Sequence, residues 1–246
     1  MNVEFAPLLL EPAYRKVASA IGERILSRAL REGERLPPET ELARQFAVNR
    51  STVREALREL ESRGLVRRRP GSKLMAVSRP LTGTVAQGVS HALMLQDVTV
   101  HDLWEALTIL EPPLAQVAAR AATAQDLETL NAAQQDFSAG AAETAQAAHC
   151  TAQFFRCIGR ATHNPVLALA QEPLLQLLEP SLRVMIDKVP QARSRIATAH
   201  RRLLEALGAR DQQAAHDWMA RHIRDFRKGF ELAGIKLEVR VAPREG

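Results

Sequence analysis

A run of cations and hydroxyls at the start of one predicted helix carries the clearest chemistry in this chain. Residues 36–66, LPPETELARQFAVNRSTVREALRELESRGLV, have the pattern of two short helices joined by a tight turn. In the second helix, apolar side chains recur at helical spacing and face inward. Its outer face then presents Arg50, Ser51, Thr52, Arg54 and Arg58. Because arginine can fork onto guanine and hydroxyls can reach phosphate oxygens, these residues predict a recognition helix in the major groove of DNA.

The first helix and the turn support this interpretation. One face of a helix predicted over residues 39–46 is apolar. Asn49 suits the turn, and Ser51 or Thr52 is expected to cap the second helix.

A basic hairpin is predicted directly after the helix pair. Between residues 65 and 77, apolar positions bracket the turn dipeptide Pro70-Gly71. An isolated arginine run is more often a solvated surface, but beside the helix pair it fits a wing that reaches the DNA backbone or minor groove. The cations of this wing are Arg67, Arg68, Arg69 and Lys73.

Other reactive side chains are scattered through the rest of the chain. Cys150 and Cys157 lie seven residues apart on one predicted helix, which suits buried thiols rather than a metal knuckle or redox pair. His91, His101 and His163 stand singly near predicted helix ends, where surface residues are commoner than catalysts. The sequence has no glycine-rich phosphate loop, G-x-S-x-G elbow or HExxH motif. An enzyme is therefore the least favoured alternative.

Charge divides the chain into two parts. Residues 1–80 hold 16 Lys or Arg and 10 Asp or Glu, a net charge of +6, whereas the remainder holds 17 and 18, a net charge of −1. The cationic part contains the helix pair, as expected of a DNA-binding protein. The start of the chain lacks a signal-peptide pattern, and no apolar run approaches the roughly 18 residues that span a bilayer. We therefore expect a cytoplasmic protein.

We expect a mainly α fold. Aromatic residues make up only 4% while Ala and Leu dominate, which favours helices. A flexible arm at residues 1–12 and a scaffold helix at 13–30 precede the helix pair. Later helices are predicted at 85–95, 100–122, 124–137, 141–161, 165–188, 192–209 and 211–232. The chain then comprises a winged helix-turn-helix domain with a small hairpin wing (1–78), a linker (79–83), an all-helical bundle of six or seven helices (84–238) and a flexible tail (239–246).

Residues 36–77 resemble the winged helix-turn-helix of GntR-family bacterial regulators. LPPETELA, VNRSTVREALREL and RGLV follow the family signature, LPSE-x-x-LA…VSR-x-x-VREAL-x-x-L-x-x-x-GLV, nearly throughout. The resemblance implies that Arg50 and Arg54 make the main DNA contacts. It also implies that Ser51 and Thr52 bind phosphates and that the Pro70-Gly71 tip enters the minor groove.

Two positions depart from this signature. Pro38 stands where the family usually has Ser, and Thr40 stands where it often has an Arg that contacts DNA. We expect an altered set of phosphate contacts, in which Arg44, one turn on, compensates.

The second half resembles the helical effector domain of the FadR subfamily, called FCD. The matching stretches are DLWEALTILEPPLAQVAARAA, FFRCIGRATHNPVL and HRRLLEALGARDQQAAHDWMARHI. Many members bind a divalent metal through an Asp-x-x-x-His pair on one helix and one His on each of two later helices, and a carboxylate effector completes the coordination. His200 and His222 match the later histidines. Thr151 and Phe155 stand at the Asp and first His positions, and Leu107 stands where an effector-gripping Arg is common.

These departures disfavour a tightly bound metal such as zinc. A divalent ion needs three or more protein ligands, and His200 and His222 alone would hold it weakly. Glu105 and His149 are candidate substitutes, but His149 points about 160° round the helix from Thr151. The pocket is expected to accept an organic effector with less preference for anions, and it comprises Thr151, Phe155, Leu107, His200 and His222. The alternative is a pocket for a larger, apolar-tailed molecule, as in acyl-CoA-binding relatives.

The sequence thus predicts a homodimeric transcriptional regulator, with repression relieved by a metabolite as the commoner family behaviour. Its partners would be a pseudo-palindromic operator and an organic acid or acyl derivative. The alternative is a helical protein-interaction module without DNA binding, which leaves the placement of the arginines unexplained.

Overall fold

The computed structural model describes residues 11–69, 71, 74–80, 82–140 and 142–241. These residues divide into two compact units, and the second begins at Thr82. Ten helices and a two-stranded sheet are present in this described part of the chain. The expected class, a winged helix-turn-helix followed by an all-helical bundle, is confirmed. No helix among the described residues is long and apolar enough to cross a membrane.

Three helices and a hairpin build the N-terminal unit. Its elements are α1 (Ala13–Leu26), α2 (Glu39–Gln45), α3 (Arg50–Ser62), β1 (Val66–Arg68) and β2 (Met75–Val77). Ile21 of α1, Leu42 of α2 and Leu60 of α3 belong to one buried cluster. Because the apolar faces of all three helices meet there, the polar face of α3 remains outside.

Two helix boundaries in this unit differ from expectation. α1 ends at Leu26 rather than at residue 30, because Arg28 adopts a left-handed φ of 61° and the Leu30 N–H donates to the Arg24 carbonyl at 2.9 Å. α3 begins at Arg50, with Asn49 as its N-cap and no side-chain cap hydrogen bond. Ser51 and Thr52 lie inside the first turn, so the prediction that one of them caps the helix was wrong.

The hairpin is tied to the chain that precedes α2. Its strands are antiparallel, with Val66 opposite Val77. The Leu36 N–H donates to the Met75 carbonyl at 2.9 Å, and the Val77 N–H donates to the Glu34 carbonyl at 2.8 Å. One edge of the hairpin is therefore already paired and not open to other strands.

Seven helices build the C-terminal unit. They are α4 (Thr82–Leu95), α5 (Val100–Ala121), α6 (Ala124–Gly140), α7 (Thr144–Ala161), α8 (Pro165–Lys188), α9 (Ala192–Gly208) and α10 (Gln212–Leu232). α5 packs along α10, α7 packs against both α6 and α8, and α4 packs along α8. Their apolar faces form a single buried cluster.

Hydrogen bonds hold the segments that flank this bundle. A capping box opens α5, in which the Thr99 hydroxyl accepts from the Asp102 N–H at 3.2 Å and the Asp102 carboxylate accepts from the Thr99 N–H at 2.8 Å. Near the end of the chain, the Val241 N–H donates to the Val98 carbonyl at 2.9 Å, and Val241 is buried. Residues 239–241 therefore pack against the bundle, although we expected a flexible tail from residue 239. Residues 242–246 of that tail lie outside the described residues.

Candidate nucleic-acid interface and effector pocket

The outer face of α3 is open to solvent. Val53, Ala56, Leu57 and Leu60 are buried against the rest of the N-terminal unit. Helical geometry then turns the intervening side chains outward. Four of the five residues expected to contact DNA are exposed and Thr52 is half-buried; the exposed four are Arg50, Ser51, Arg54 and Arg58.

Arg54 is held by a carboxylate from the neighbouring helix. Its Nη2 and Nε lie 3.0 and 3.3 Å from Oε2 of Glu39, at the start of α2. The hydrogen bond from Arg54 lowers the pKa of Glu39, and the charges of Arg54, Arg50 and Arg68 add to this effect. The ion pair orders the guanidinium before any DNA arrives, and it also places an anion beside the proposed contact. Glu39 was missed from the sequence because its partner lies 15 residues away.

Arg44 is also paired within the protein. Its Nη2 lies 2.7 Å from Oε1 of Glu41, one turn earlier on α2. This hydrogen bond, together with one from Gln45, lowers the pKa of Glu41 to about 2. Thr40 is exposed. We expected Arg44 to supply the DNA contact that Thr40 cannot make. For that, a DNA phosphate would have to displace Glu41 from the Arg44 guanidinium.

The wing presents further cations. Arg67 and Arg68 on β1 are exposed, and Nη2 of Arg69 lies 3.5 Å from the Gly33 carbonyl. Gly71 has a φ of 75°, a left-handed conformation that glycine adopts without strain. Pro70 and Lys73, which we also expected at the DNA, lie outside the described residues.

His200 and His222 lie inside the C-terminal bundle. The His200 ring stacks on Phe154 at 3.9 Å between centroids, and the His222 ring lies 5.4 Å from it, nearly perpendicular. Nδ1 of His200 is 2.9 Å from Oε1 of Gln134. Nε2 of each histidine is buried without a hydrogen-bond partner. Burial lowers the pKa of His222 to about 3 and that of His200 well below its usual range, so both rings are neutral at physiological pH.

The other predicted pocket residues are apolar or already bonded. Leu107 and Phe155 are fully buried, and Phe155 lies 5.5 Å from the His222 ring. Thr151 is buried and donates its hydroxyl to the Ala147 carbonyl at 2.8 Å. Phe155 and His222 therefore come together, whereas Thr151 turns back to its own helix.

These residues do not fit a divalent metal. Two imidazoles are the available donors, and neither candidate substitute joins them: Nδ1 of His149 is 3.0 Å from Oε1 of Glu179, and Glu105 is exposed. No cluster of three or more His, Cys, Asp or Glu side chains able to hold a metal occurs among the described residues. Cys150 and Cys157 are free thiols.

Open space lies on both sides of α9, beside Gln134 on one side and His222 on the other. A groove of about 530 Å³ between α6 and α9 is lined by Gln134, the partner of His200. A cleft of about 400 Å³ between α9 and α10 is lined by His222, with Trp218 and Arg221 beside it. A nearly filled cavity of about 10 Å³, roughly room for one water, also touches His222. Sequence reasoning identified the histidines but neither groove.

Comparison with known proteins agrees with these two units. Residues 13–74 match the family described as "Bacterial regulatory proteins, gntR family", and residues 102–225 match the FCD domain. The chain belongs to the GntR family of bacterial regulatory proteins. It is a DNA-binding transcriptional regulator whose C-terminal domain binds a metabolite.

Similar GntR-family proteins cover nearly the whole chain. The Uxu operon transcriptional regulator of Escherichia coli (strain K12) is 28% identical over 224 residues, which cover 87% of this chain and 85% of that protein. The Glc operon transcriptional activator of the same strain is 27% identical over 250 residues, covering 95% and 96%. Among solved structures, Streptococcus agalactiae GntR matches with a TM-score of 0.63 and 25% identity, covering 87% of this chain and 99% of that one.

The bundle also buries a carboxyl group, which is linked through Gln171 to the backbone carbonyl of Phe155. Glu111 of α5 is fully buried, and both its oxygens accept from Nε2 of Gln171, at 3.1 and 2.9 Å. The same Nε2 donates to the Phe155 carbonyl at 3.1 Å. Gly159 allows this approach, because a Cβ there would clash with Oε1 of Gln171. Burial raises the pKa of Glu111 to about 8.

We predict that Glu111→Gln removes part of the pH dependence of stability. Above its usual pKa of about 4.5 the unfolded chain has lost the proton that the folded protein keeps up to about pH 8. The free energy of unfolding should therefore fall as pH rises from about 6.5 to 8, by up to about 1.4 kcal/mol per pH unit. Buried neutral histidines change the free energy of unfolding only below about pH 6.5, which is outside this pH range. Urea unfolding at several pH values should show the decline in the wild type and in Glu105→Gln, an exposed control on α5, but not in Glu111→Gln. An equal decline in all three would contradict the assignment.

Proposed function

We propose that this regulator is a homodimeric repressor that lays α3 of each copy in the major groove of a pseudo-palindromic operator. The observation that carries this proposal is the exposed guanidinium of Arg54, ordered by Glu39 on a face that also presents Arg50 and Arg58. An arginine fork held in one orientation loses little freedom when it binds a guanine edge. The hydroxyls of Ser51 and Thr52 lie in the first turn of α3, where they would bind phosphate oxygens.

Three variants of the α2–α3 pair test this assignment. Arg54→Ala should weaken operator binding by about 1–3 kcal/mol, the usual cost of losing a base contact. Glu39→Gln should strengthen binding to operator and unrelated DNA alike, because it removes an anion beside the phosphates while its amide oxygen can still accept a hydrogen bond from Arg54. Fluorescence anisotropy at fixed salt, with an operator selected from genomic fragments, would measure both effects. Arg63→Ala, at the far end of α3 and paired with Glu59, is the matched control. Binding by Arg54→Ala equal to that of the wild type, with the fold intact, would refute the role of Arg54.

We further propose that the effector binds beside His200 and His222 without a metal. Each Nε2 lacks a partner, and a ligand that supplied one would recover the cost of a buried unsatisfied group, about 1–3 kcal/mol. Phe155 and Leu107 make the surrounding surface apolar, which favours an organic molecule with an apolar part. The effector must bind one arrangement of the dimer better than another, since otherwise it would not shift DNA affinity.

The homodimer proposal is supported by an apolar face on α4. Val85 and Val89 lie one turn apart on this helix and are 43% and 46% exposed. A Cβ at Gly88 would meet no atom within 4 Å, so the face is open there. Val166 and Leu169 of α8, the helix on which α4 packs, are exposed as well. Exposed apolar side chains on neighbouring helices commonly mark a subunit interface, and a second copy of the same chain would cover them symmetrically.

We predict that Val89→Asp converts the dimer to a monomer. A charge buried in an apolar interface without a partner is strongly unfavourable. Sedimentation at micromolar concentration should show the mass of one subunit for this variant and of two for the wild type. Gln87→Asp, at an exposed position on the other side of α4, should remain dimeric. A dimer in Val89→Asp would place the interface elsewhere.

Repression is the direction that we propose, although the similar Glc operon protein is named as an activator. Deleting the gene should raise transcription from the operator that the protein binds, and a fall would identify an activator instead. We also propose that the protein acts in the bacterial cytoplasm and without catalytic activity, as its family of regulators suggests.

A further inference from the structure

The cleft between α9 and α10 has an unusual charge distribution. Its cationic side chains are Arg195 from α9 and Arg221 and Lys228 from α10, and its single carboxylate is that of Asp225. Among the described residues, none of the three cations forms an ion pair with a carboxylate. Arg221 lies over the Trp218 ring, 5.1 Å from its centroid. The lining therefore keeps about two positive charges without compensation.

One residue that lines this cleft has a polar atom that the protein does not satisfy. His222 is 1% exposed and lines the cleft, and its Nε2 is buried with no hydrogen-bond partner. The ring is neutral, so it can donate or accept a hydrogen bond without adding charge. A ligand oxygen that reached this atom from the cleft would supply the missing partner.

We propose that the α9–α10 cleft binds the phosphate group of a small metabolite, with Arg195, Arg221 and Lys228 around the anion and His222 beneath it. This deepens the proposed function by naming the chemical class of the effector. Only the effect of this ligand on DNA binding rests on that proposed function. A volume of about 400 Å³ suits a small metabolite.

The charge balance favours phosphate over a single carboxylate. A phosphate monoester carries about −1.5 to −2 charges near neutral pH and three strong acceptor oxygens. It would compensate the two excess positive charges and leave an oxygen for His222. A monocarboxylate would leave one cation uncompensated. Arginine forks also match phosphate geometry in two-point hydrogen bonds.

The test is a titration of the full-length protein in a Trp104→Phe background, which leaves Trp218 as the only tryptophan. The probes are 3-phosphoglycerate, glycerate and inorganic phosphate, and the readout is Trp218 fluorescence. We expect saturable binding of 3-phosphoglycerate, with glycerate at least about tenfold weaker, a difference of about 1.4 kcal/mol. Inorganic phosphate shows which form of phosphate the cleft takes. If it binds as tightly as 3-phosphoglycerate, the ligand is the free ion; if it binds more weakly, the ligand is a phosphate ester.

Charge variants decide whether the cleft itself is responsible. Arg195→Gln and Arg221→Gln should each weaken 3-phosphoglycerate about tenfold or more. Arg202→Gln is the matched control, because Arg202 also lies over Trp218, at 5.8 Å, but pairs with Glu205 and does not line the cleft. It should bind within about twofold of its parent. His222→Phe, if folded by circular dichroism, should weaken binding several-fold.

Four results would overturn the proposal. They are the absence of saturable binding, equal affinity for glycerate, an Arg202→Gln loss as large as that of Arg221→Gln, and displacement of 3-phosphoglycerate by duplex DNA, which would make the cleft a nucleic-acid surface. The titration contains no operator. A protein that binds 3-phosphoglycerate in the cleft but never binds an operator would refute the proposed function and leave the cleft assignment intact.

Discussion

Two imidazole rings have to be accommodated without charge inside an apolar bundle, and the C-terminal unit is built around that constraint. His200 stacks on Phe154 of α7 and bonds to Gln134 of α6, while His222 of α10 lies against Phe155 and Phe226. Each ring leaves Nε2 unsatisfied, at a cost of about 1–3 kcal/mol in a folded domain of ordinary stability. A core that kept two such groups only for packing would be more stable with apolar residues in their place. The unsatisfied atoms therefore fit a ligand that completes them.

The same constraint separates this chain from the metal-binding pattern that its sequence resembles. The pattern that the sequence resembles has a carboxylate and an imidazole at two positions of α7 where this chain has Thr151 and Phe155. The structure turns Thr151 back to its own backbone and uses Phe155 as part of the ring cluster. Polar side chains nearby on α7 and α8 form hydrogen bonds between helices. Arg156 of α7 bonds to Glu172 of α8, and Gln176, one turn on, bonds to Gly83 and Ser90 of α4. α7 is thus linked through α8 to the first helix of the unit.

The sequence was informative wherever the signal was local. α8 begins and ends at the predicted residues because Asn164-Pro165 opens it and Val189-Pro190 closes it. The outward face of α3 followed from apolar spacing alone. The sequence did not predict the contacts between side chains that are distant along the chain. Glu39 bonds to Arg54, 15 residues away, and Gln171 bonds to Glu111, 60 residues away. The spacing of apolar residues within a single helix does not indicate such pairs. The grooves beside α9 arise in the same way, from the fit of whole helices.

We propose that this regulator is a homodimer that holds its histidine pair, His200 and His222, without metal. Native mass spectrometry of the protein as purified, compared with its denatured mass, tests this most directly. We expect twice the subunit mass with no metal-sized excess. A metal-sized excess per subunit that disappears in His200→Ala would contradict it, and would mean that His200 shares an ion with ligands other than Thr151 and Phe155.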